Sequence, residues 1–271
     1  MSIQSTRPTE RTPLRASFLS DGPEDEKHRE ALLTRYRRVV YFITFVAYAM
    51  SHFSRKSYTN VKKNMKDGGM AEDVLSQMDT GFMFCYAVGS FFSGALGDRL
   101  RPTTVVAVGL WGSAVMVMAL TAGLWSDLQQ NEVSTNVYFT GVWMIHGLFQ
   151  STGGPVNTSI MGNWVTSKNR GFIFGTWTCH QYIGNILAAV VTSIVLTAGL
   201  DFWWALVIPA AANAVWGVVC YSVLPPRPSE IQGLQTTSET KVTRFLSLSP
   251  SFSLSLPLSL SPCAHTHLHG E

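Results

Sequence analysis

The feature that most constrains this chain is a long central region that holds very little charge. Only 17 of the 37 Lys, Arg, Asp and Glu residues fall within the 186 residues of positions 39–224. Over all 271 residues the charged fraction is 14%, against about 25% in an ordinary soluble domain. This distribution excludes a disordered chain, argues against a soluble enzyme and is typical of an integral membrane domain.

The central region divides into six apolar stretches, each close to the roughly 20 residues that a helix needs to cross a bilayer. The stretches are continuously apolar, without the alternation over about ten residues that marks the strands of outer-membrane barrels. The sequence therefore predicts an all-α integral membrane protein with a bundle of six transmembrane helices. The predicted spans are residues 39–59, 79–97, 103–125, 137–161, 172–197 and 202–224.

The basic residues between these stretches predict how the chain lies in the membrane. Arg and Lys precede the first predicted span and follow the second, fourth and sixth, all on one side of the bundle. The positive-inside rule places that side, and both chain ends, in the cytoplasm. Lys62, Lys63 and Lys66, in the first loop of the other side, are the exception. A net charge of +3 is too small to indicate nucleic-acid binding. Because of the apolar stretches, the lipid bilayer is the predicted partner of residues 35–228.

Both ends of the sequence are polar. Residues 1–34 are predicted to form a disordered cytoplasmic tail, and residues 229–271 a disordered, low-complexity tail. From residue 245 the sequence alternates Leu with Ser and later His with Thr, as translated CT and CA repeats do. One interpretation is that residues 245–271 are translated repeat or intron sequence. The alternative takes the pattern as a strand followed by a histidine-rich end that binds a metal.

One face of the first predicted span collects polar and ionisable side chains. Tyr48, His52, Arg55 and Thr59 follow the spacing i, i+4, i+7, i+11, which places them on one side of a helix. An ionisable residue inside a span is costly and marks a candidate functional site, and the planar guanidinium group suits phosphate. In the alternative, Arg55 marks the end of the span and extends to the membrane surface. Residues 39–53 alone are too short for a span, which favours a helix that carries Arg55 inward.

Three stretches of the sequence resemble a known family. Residues 94–101 read GALGDRLR and resemble the loop signature of the major facilitator superfamily, between its second and third helices. Residues 48–56 read YAMSHFSRK and resemble the first helix of the organophosphate:phosphate antiporters, a branch that includes glycerol-3-phosphate transporters and eukaryotic sugar-phosphate exchangers. Residues 153–185 are similar to helices four and five of the same branch. The resemblance covers about residues 35–230.

The resemblance implies a fold and an activity. The fold is a six-helix bundle equal to one half of a major facilitator transporter. The activity is secondary active antiport of a sugar phosphate or glycerol phosphate against inorganic phosphate, by rocker-switch alternating access and without enzymatic activity, cofactor or metal. Arg55 would bind the substrate phosphate. The other implied substrate-binding residues are Tyr48, His52, Gln150, Trp177 and His180. The implied conformational latch consists of Gly94, Asp98 and Arg99. By analogy with the eukaryotic exchangers, the membrane would be that of the endoplasmic reticulum.

The length leaves the role of the chain open. Carriers of this superfamily have two six-helix halves with the substrate site between them, and this sequence supplies one half. It is therefore expected to be truncated to the N-terminal half. A second copy could complete the missing half by self-association. Alternatively, the chain is a non-transporting fragment or a regulatory or scaffold membrane protein. An intramembrane enzyme is disfavoured, because paired acids and nucleophile motifs are lacking inside the predicted spans.

Overall fold

A computed structural model describes residues 23–126, 132–225 and 227–231. Helix is the regular structure throughout these residues, and the two short 3₁₀ helices are Ser167–Asn169 and Pro228–Glu230. The prediction of an all-α protein is confirmed. The α-helices are α1 (Pro23–Asp67), α2 (Glu72–Arg99), α3 (Pro102–Trp125), α4 (Glu132–Gln150), α5 (Gly153–Trp164), α6 (Arg170–Trp177), α7 (His180–Thr197) and α8 (Trp204–Val223).

The helices correspond to the predicted spans with two interruptions. The fourth predicted span is divided into α4 and α5, and the fifth into α6 and α7. Among the described residues, four stretches are long and apolar enough to cross a membrane: Glu72–Gly97, Pro102–Trp125, Ser167–Thr197 and Trp204–Val223. α1, α4 and α5 do not meet both conditions, so the count of six spans stays a prediction.

Large apolar side chains cover much of the outer surface. Phe91 is 83% exposed, Phe172 78% and Val137 71%. A soluble monomer rarely exposes apolar patches of this extent, whereas hydrocarbon chains of a bilayer solvate them. The exposed apolar surface supports the prediction of an integral membrane protein.

α1 begins before its predicted span, so the prediction of a disordered tail is wrong for residues 23–34. Residues 23–34, expected to be disordered, form its first turns. Proline is favoured at the first position of a helix, as at Pro23, and acidic residues such as Glu24 are stabilised near the helix N-terminus. Leu32 and Leu33 then pack against a buried cluster, which holds the extension on the bundle. The other residues of the two predicted tails lie almost entirely outside the described part.

The helices pack at close range where glycine faces backbone. α1 lies along α7 and α8, α2 along α4, and α3 along α8 and α4. A Cβ atom at Gly184 of α7 would overlap the carbonyl oxygen of Ala49 in α1. A Cβ atom at Gly147 of α4 would lie 2.6 Å from the carbonyl oxygen of Phe82 in α2. Small residues at such contacts allow membrane helices to approach closely.

The interruption between α4 and α5 has an identifiable chemical cause. Pro155 has no backbone N–H group and cannot bond the carbonyl oxygen of Ser151, four residues earlier. The hydroxyl of Ser93 on α2 lies 3.2 Å from that carbonyl oxygen and donates to it. The Asn157 amide donates over 2.8 Å to the carbonyl oxygen of Gly153. The Ser93 hydroxyl therefore satisfies the carbonyl group that the proline leaves without a helical donor at membrane depth.

Candidate functional site

The predicted face of α1 forms the base of a polar site. Tyr48, His52 and Arg55 are each half-buried and follow one another along the helix. The terminal nitrogen Nη2 of Arg55 lies 3.3 Å from Nδ1 of His52. A guanidinium group only donates hydrogen bonds, so Nδ1 of His52 is the acceptor. This bond fixes His52 as a neutral imidazole with its proton on Nε2.

Arg55 is surrounded by aromatic rings instead of acids. Its guanidinium carbon lies 5.8 Å from the ring centre of Phe82 and 5.7 Å from that of Tyr86, both on α2. In the described part of the chain Arg55 has no carboxylate partner, and Asp79, also on α2, pairs with Lys62. Cation–π contacts stabilise a guanidinium but leave its charge unneutralised. The site therefore presents a half-buried positive charge that an anion can bind.

An aromatic cluster next to Arg55 joins four helices. The ring of Tyr48 lies 4.3 Å from that of His180, 5.0 Å from that of His52 and 6.0 Å from that of Trp177. The hydroxyl groups of Tyr48 and Tyr86 are 3.3 Å apart. These contacts bring α1, α2, the end of α6 and the start of α7 together around one phenol ring.

Two residues of this cluster are deeply buried. His180 is 3% exposed, and its Nδ1 has no hydrogen-bond partner among the described residues. Trp177 is also 3% exposed, and its indole N–H donates over 3.1 Å to the hydroxyl of Thr44 on α1. Trp177 therefore forms a fixed wall of the site, while His180 keeps an unused polar atom for a ligand or a water molecule.

Both helix interruptions lie beside Tyr48. A Cβ atom at Gly153, the first residue of α5, would be 3.1 Å from the Tyr48 ring, and one at Gly154 would be 2.9 Å from its hydroxyl oxygen. The second interruption, at Thr178 and Cys179, directly precedes His180. The glycines are thus required by the close approach of α5 to the ring.

The structure brings together Tyr48, His52, Arg55, Trp177 and His180, five of the predicted substrate-binding residues. Gln150, the sixth, forms its hydrogen bonds with other residues of α1. Its amide nitrogen is buried and donates over 3.0 Å to the carbonyl oxygen of Ser51 and over 3.3 Å to the hydroxyl of Ser54. Gln150 therefore joins α4 to α1, and its role as a substrate ligand stays a prediction.

Tyr86 and Phe82 contact Arg55 but are missing from the sequence-based site. They are spaced i and i+4 in α2, which places them on one face of that helix. A polar aromatic residue in the middle of a predicted span was the only available signal. That signal does not identify the neighbouring helix, since the sequence does not give the pairing of α1 with α2.

The predicted latch lies at the end of α2, away from this cluster. α2 ends at Arg99, which is exposed, and Gly94 is half-buried with open space where a side chain would be. Nothing is described of the Asp98 side chain. Arg101, two residues beyond the helix, lies 3.5 Å from Glu230. The latch role of Gly94, Asp98 and Arg99 stays a prediction.

Comparison with known proteins identifies the family. Residues 40–264 match the family model described as Major Facilitator Superfamily. The chain belongs to the major facilitator superfamily. The predicted family is therefore confirmed, and the all-helical architecture agrees with one half of a major facilitator transporter.

The similar curated proteins have names that refer to organophosphates. "Sugar phosphate exchanger 3" of Xenopus laevis is 31% identical over 240 residues, which cover 78% of this chain and 46% of the relative. "Putative glycerol-3-phosphate transporter 2" of Arabidopsis thaliana is 32% identical, with 77% of this chain and 42% of the relative covered. "Sugar phosphate exchanger 3" of Bos taurus is 32% identical, with 77% and 47% covered. The chain spans about half the length of the curated relatives it matches.

Proposed function

We propose that this superfamily member provides the phosphate-binding half of a secondary transporter that exchanges a sugar phosphate or glycerol phosphate for inorganic phosphate. The names of the relatives support this substrate class. Substrate sites of this superfamily lie near the bilayer midplane at the interface between structural repeats. Alternating access would then occur by rocker-switch movement of one half against the other.

The observation that carries the proposal is the unneutralised charge of Arg55. A charge removed from water costs several kcal/mol unless a partner and further hydrogen bonds compensate it. The partners of Arg55 in the described residues are neutral: His52 and the rings of Phe82 and Tyr86. A phosphate group supplies the missing negative charge and accepts two parallel N–H bonds from one guanidinium.

The surrounding side chains fit the remaining oxygens of a bound phosphate. The hydroxyl groups of Tyr48 and Tyr86 bond each other and can turn to donate to an anion. Nδ1 of His180 is a further unused polar atom. When phosphate takes the N–H of Arg55 that now bonds His52, Nδ1 of His52 can accept from a protonated phosphate oxygen or, after a change of tautomer, donate to an ionised one.

The membrane arrangement is part of the same proposal. The six apolar stretches give six spans, with α4 and α5 together forming the fourth, and the positive-inside rule places both chain ends in the cytoplasm. The endoplasmic reticulum membrane is proposed by analogy with the eukaryotic exchangers. Because Arg55 would otherwise face lipid, its side of α1 needs a protein cover. We propose either a second six-helix half or a second copy of this chain as that cover.

The test compares two neighbouring basic residues. The purified chain is reconstituted in proteoliposomes, and exchange of labelled phosphate is measured for wild type, Arg55→Gln and Lys56→Gln. Lys56 carries the same charge but points about 100° away around the helix, so it is the matched control. We expect loss of exchange only for Arg55→Gln. Equal exchange by wild type and Arg55→Gln would refute the proposal.

A binding measurement tests the remaining candidate function. The chain spans about half the length of these relatives. If the wild-type chain shows no exchange, a regulatory or scaffold role is therefore favoured. Phosphate binding is then measured by calorimetry on the same three proteins. Binding that depends on Arg55 but not on Lys56 supports the phosphate site without transport. Binding that is equal in all three proteins excludes Arg55 as the phosphate ligand.

A further inference from the structure

A cavity separate from the Arg55 site lies where α1 meets α5 and α6. Its volume is about 410 Å³. Arg38 and Arg55 are 17 positions apart on α1, which corresponds to about 25 Å along a helix. The lining of the cavity includes Arg37, Arg38, Tyr41, Trp164, Ile173 and Thr176.

Two guanidinium groups provide positive charge in this cavity. Nε of Arg37 donates over 2.9 Å to the carbonyl oxygen of Trp164, which fixes the plane of the group and leaves its terminal nitrogens available. Arg38 is exposed. Within residues 23–126, 132–225 and 227–231, neither arginine forms an ion pair with a carboxylate. The cavity therefore carries positive charge that no described acid balances.

The other walls combine hydroxyl groups with apolar surface. The hydroxyl of Tyr41 donates over 3.2 Å to that of Thr176, so that α1 and α6 are joined across the cavity. Met161, Phe172 and Ile173 provide apolar surface. A ligand that fits both parts has an anionic group and an organic group.

The position of the cavity along the chain matches the boundary of the apolar region. The charged residues before the first apolar stretch end at Arg38, and those before the fifth end at Arg170, two residues before Phe172. Basic pockets between membrane helices at this level bind the phosphate groups of anionic lipids.

We propose that this cavity binds an organophosphate anion, with the phosphate on Arg37 and Arg38 and the organic part against Met161, Phe172 and Ile173. Arginine matches phosphate with two parallel hydrogen bonds. The volume lies in the lower range of pockets that hold small organic ligands, about 300–1,000 Å³, and exceeds what inorganic phosphate fills. The ligand is either the headgroup region of an anionic phospholipid or a soluble phosphate ester.

The experiment measures ligand-induced thermal stabilisation of the purified full chain in detergent. The probes are dihexanoyl phosphatidic acid, dihexanoyl phosphatidylcholine, glycerol-3-phosphate and inorganic phosphate. The cavity is altered in two ways: the double variant Arg37→Gln/Arg38→Gln removes its charge, and Ile173→Trp fills it. Lys168→Gln is the matched control, because Lys168 is exposed, basic and close in sequence but does not line the cavity.

We expect phosphatidic acid or glycerol-3-phosphate to stabilise wild type and Lys168→Gln equally. In the double variant the half-saturating concentration rises by about tenfold or more, as expected for the loss of charged hydrogen bonds. Arg38→Gln alone, at an exposed position, covers the case in which the double variant does not fold. Stabilisation by phosphatidic acid alone identifies a lipid site, and stabilisation by glycerol-3-phosphate that persists in Arg55→Gln identifies a soluble-ester site.

Three results would overturn the proposal. The first is no stabilisation of wild type by either organophosphate. The second is an equal effect of inorganic phosphate, or of phosphatidylcholine, which would remove the need for an anionic organic ligand. The third is unchanged stabilisation in both the charge-removing and the cavity-filling variants. Because Arg55→Gln leaves this cavity intact, failure of the transport proposal and failure of this one are distinguishable.

Discussion

The hydroxyl of Ser93 is predicted to stabilise the interruption between α4 and α5. Ser93 and Ser151 are 3% and 1% exposed, so water does not reach the bond between them. In Ser93→Ala the carbonyl oxygen of Ser151 has lost the hydroxyl donor and, because residue 155 is proline, has no helical donor. A buried polar group without its partner costs about 1–3 kcal/mol.

The expected loss lies at the lower end of this range. The single hydroxyl proton of Ser93 is shared between the carbonyl oxygens of Ser151, at 3.2 Å, and Ser90, at 3.0 Å. The carbonyl of Ser90 lies within α2 and keeps its helical N–H partner, so the Ser151 bond is the one that matters. We therefore expect Ser93→Ala to lower the free energy of unfolding by about 1 kcal/mol.

A double-mutant cycle isolates this bond. Pro155→Ala restores an N–H group that can bond the carbonyl of Ser151, so Ser93→Ala should cost little in that background. The expected coupling free energy is about 1 kcal/mol, measured by reversible denaturant unfolding in mild detergent. Ser90→Ala is the control, since the buried hydroxyl of Ser90 has no hydrogen-bond partner among the described residues. A Ser93→Ala cost equal to that of Ser90→Ala, or unchanged by Pro155→Ala, would refute the reasoning.

Two further predictions concern helix packing. Gly184→Ala should destabilise the fold by about 1–3 kcal/mol, because the new Cβ atom meets the backbone of Ala49, whereas Gly175→Ala has open space and should change stability little in the same unfolding assay. Gln150→Leu should cost about 1–3 kcal/mol, because it removes both bonds from α4 to α1. If Gln150→Leu instead abolishes phosphate binding without loss of stability, Gln150 is a substrate ligand.

The face of α1 was predictable because helical periodicity alone defines it. Tyr48, His52 and Arg55 lie together whatever the rest of the fold does. Periodicity gives the face of a helix but not the neighbour that the face meets. Gln150 sits on such a face and contacts backbone, while Tyr86 contacts the site from α2, whose sequence does not indicate which helix it meets.

The two helix interruptions also differ in how clearly the local sequence marks them. The glycines and Pro155 mark the first one, although the donor that stabilises it, Ser93, lies 58 positions from Ser151 and could not be read from local sequence. The second, at Thr178 and Cys179, contains neither glycine nor proline. Local sequence therefore does not mark it. Similarly, composition does not show the packing of Leu32 and Leu33 that holds the first turns of α1 on the bundle.

Tyr48 lies at the meeting point of the two interrupted spans. Each divided span consists of two helices, and the second interruption keeps backbone hydrogen bonds such as that from the N–H of Thr178 to the carbonyl of Phe174. The phenol ring lies against Gly153, the first residue of α5, and against His180, the first residue of α7. The side chain of Tyr48 therefore contacts two consecutive predicted spans, the fourth and the fifth, each at the point where it is interrupted.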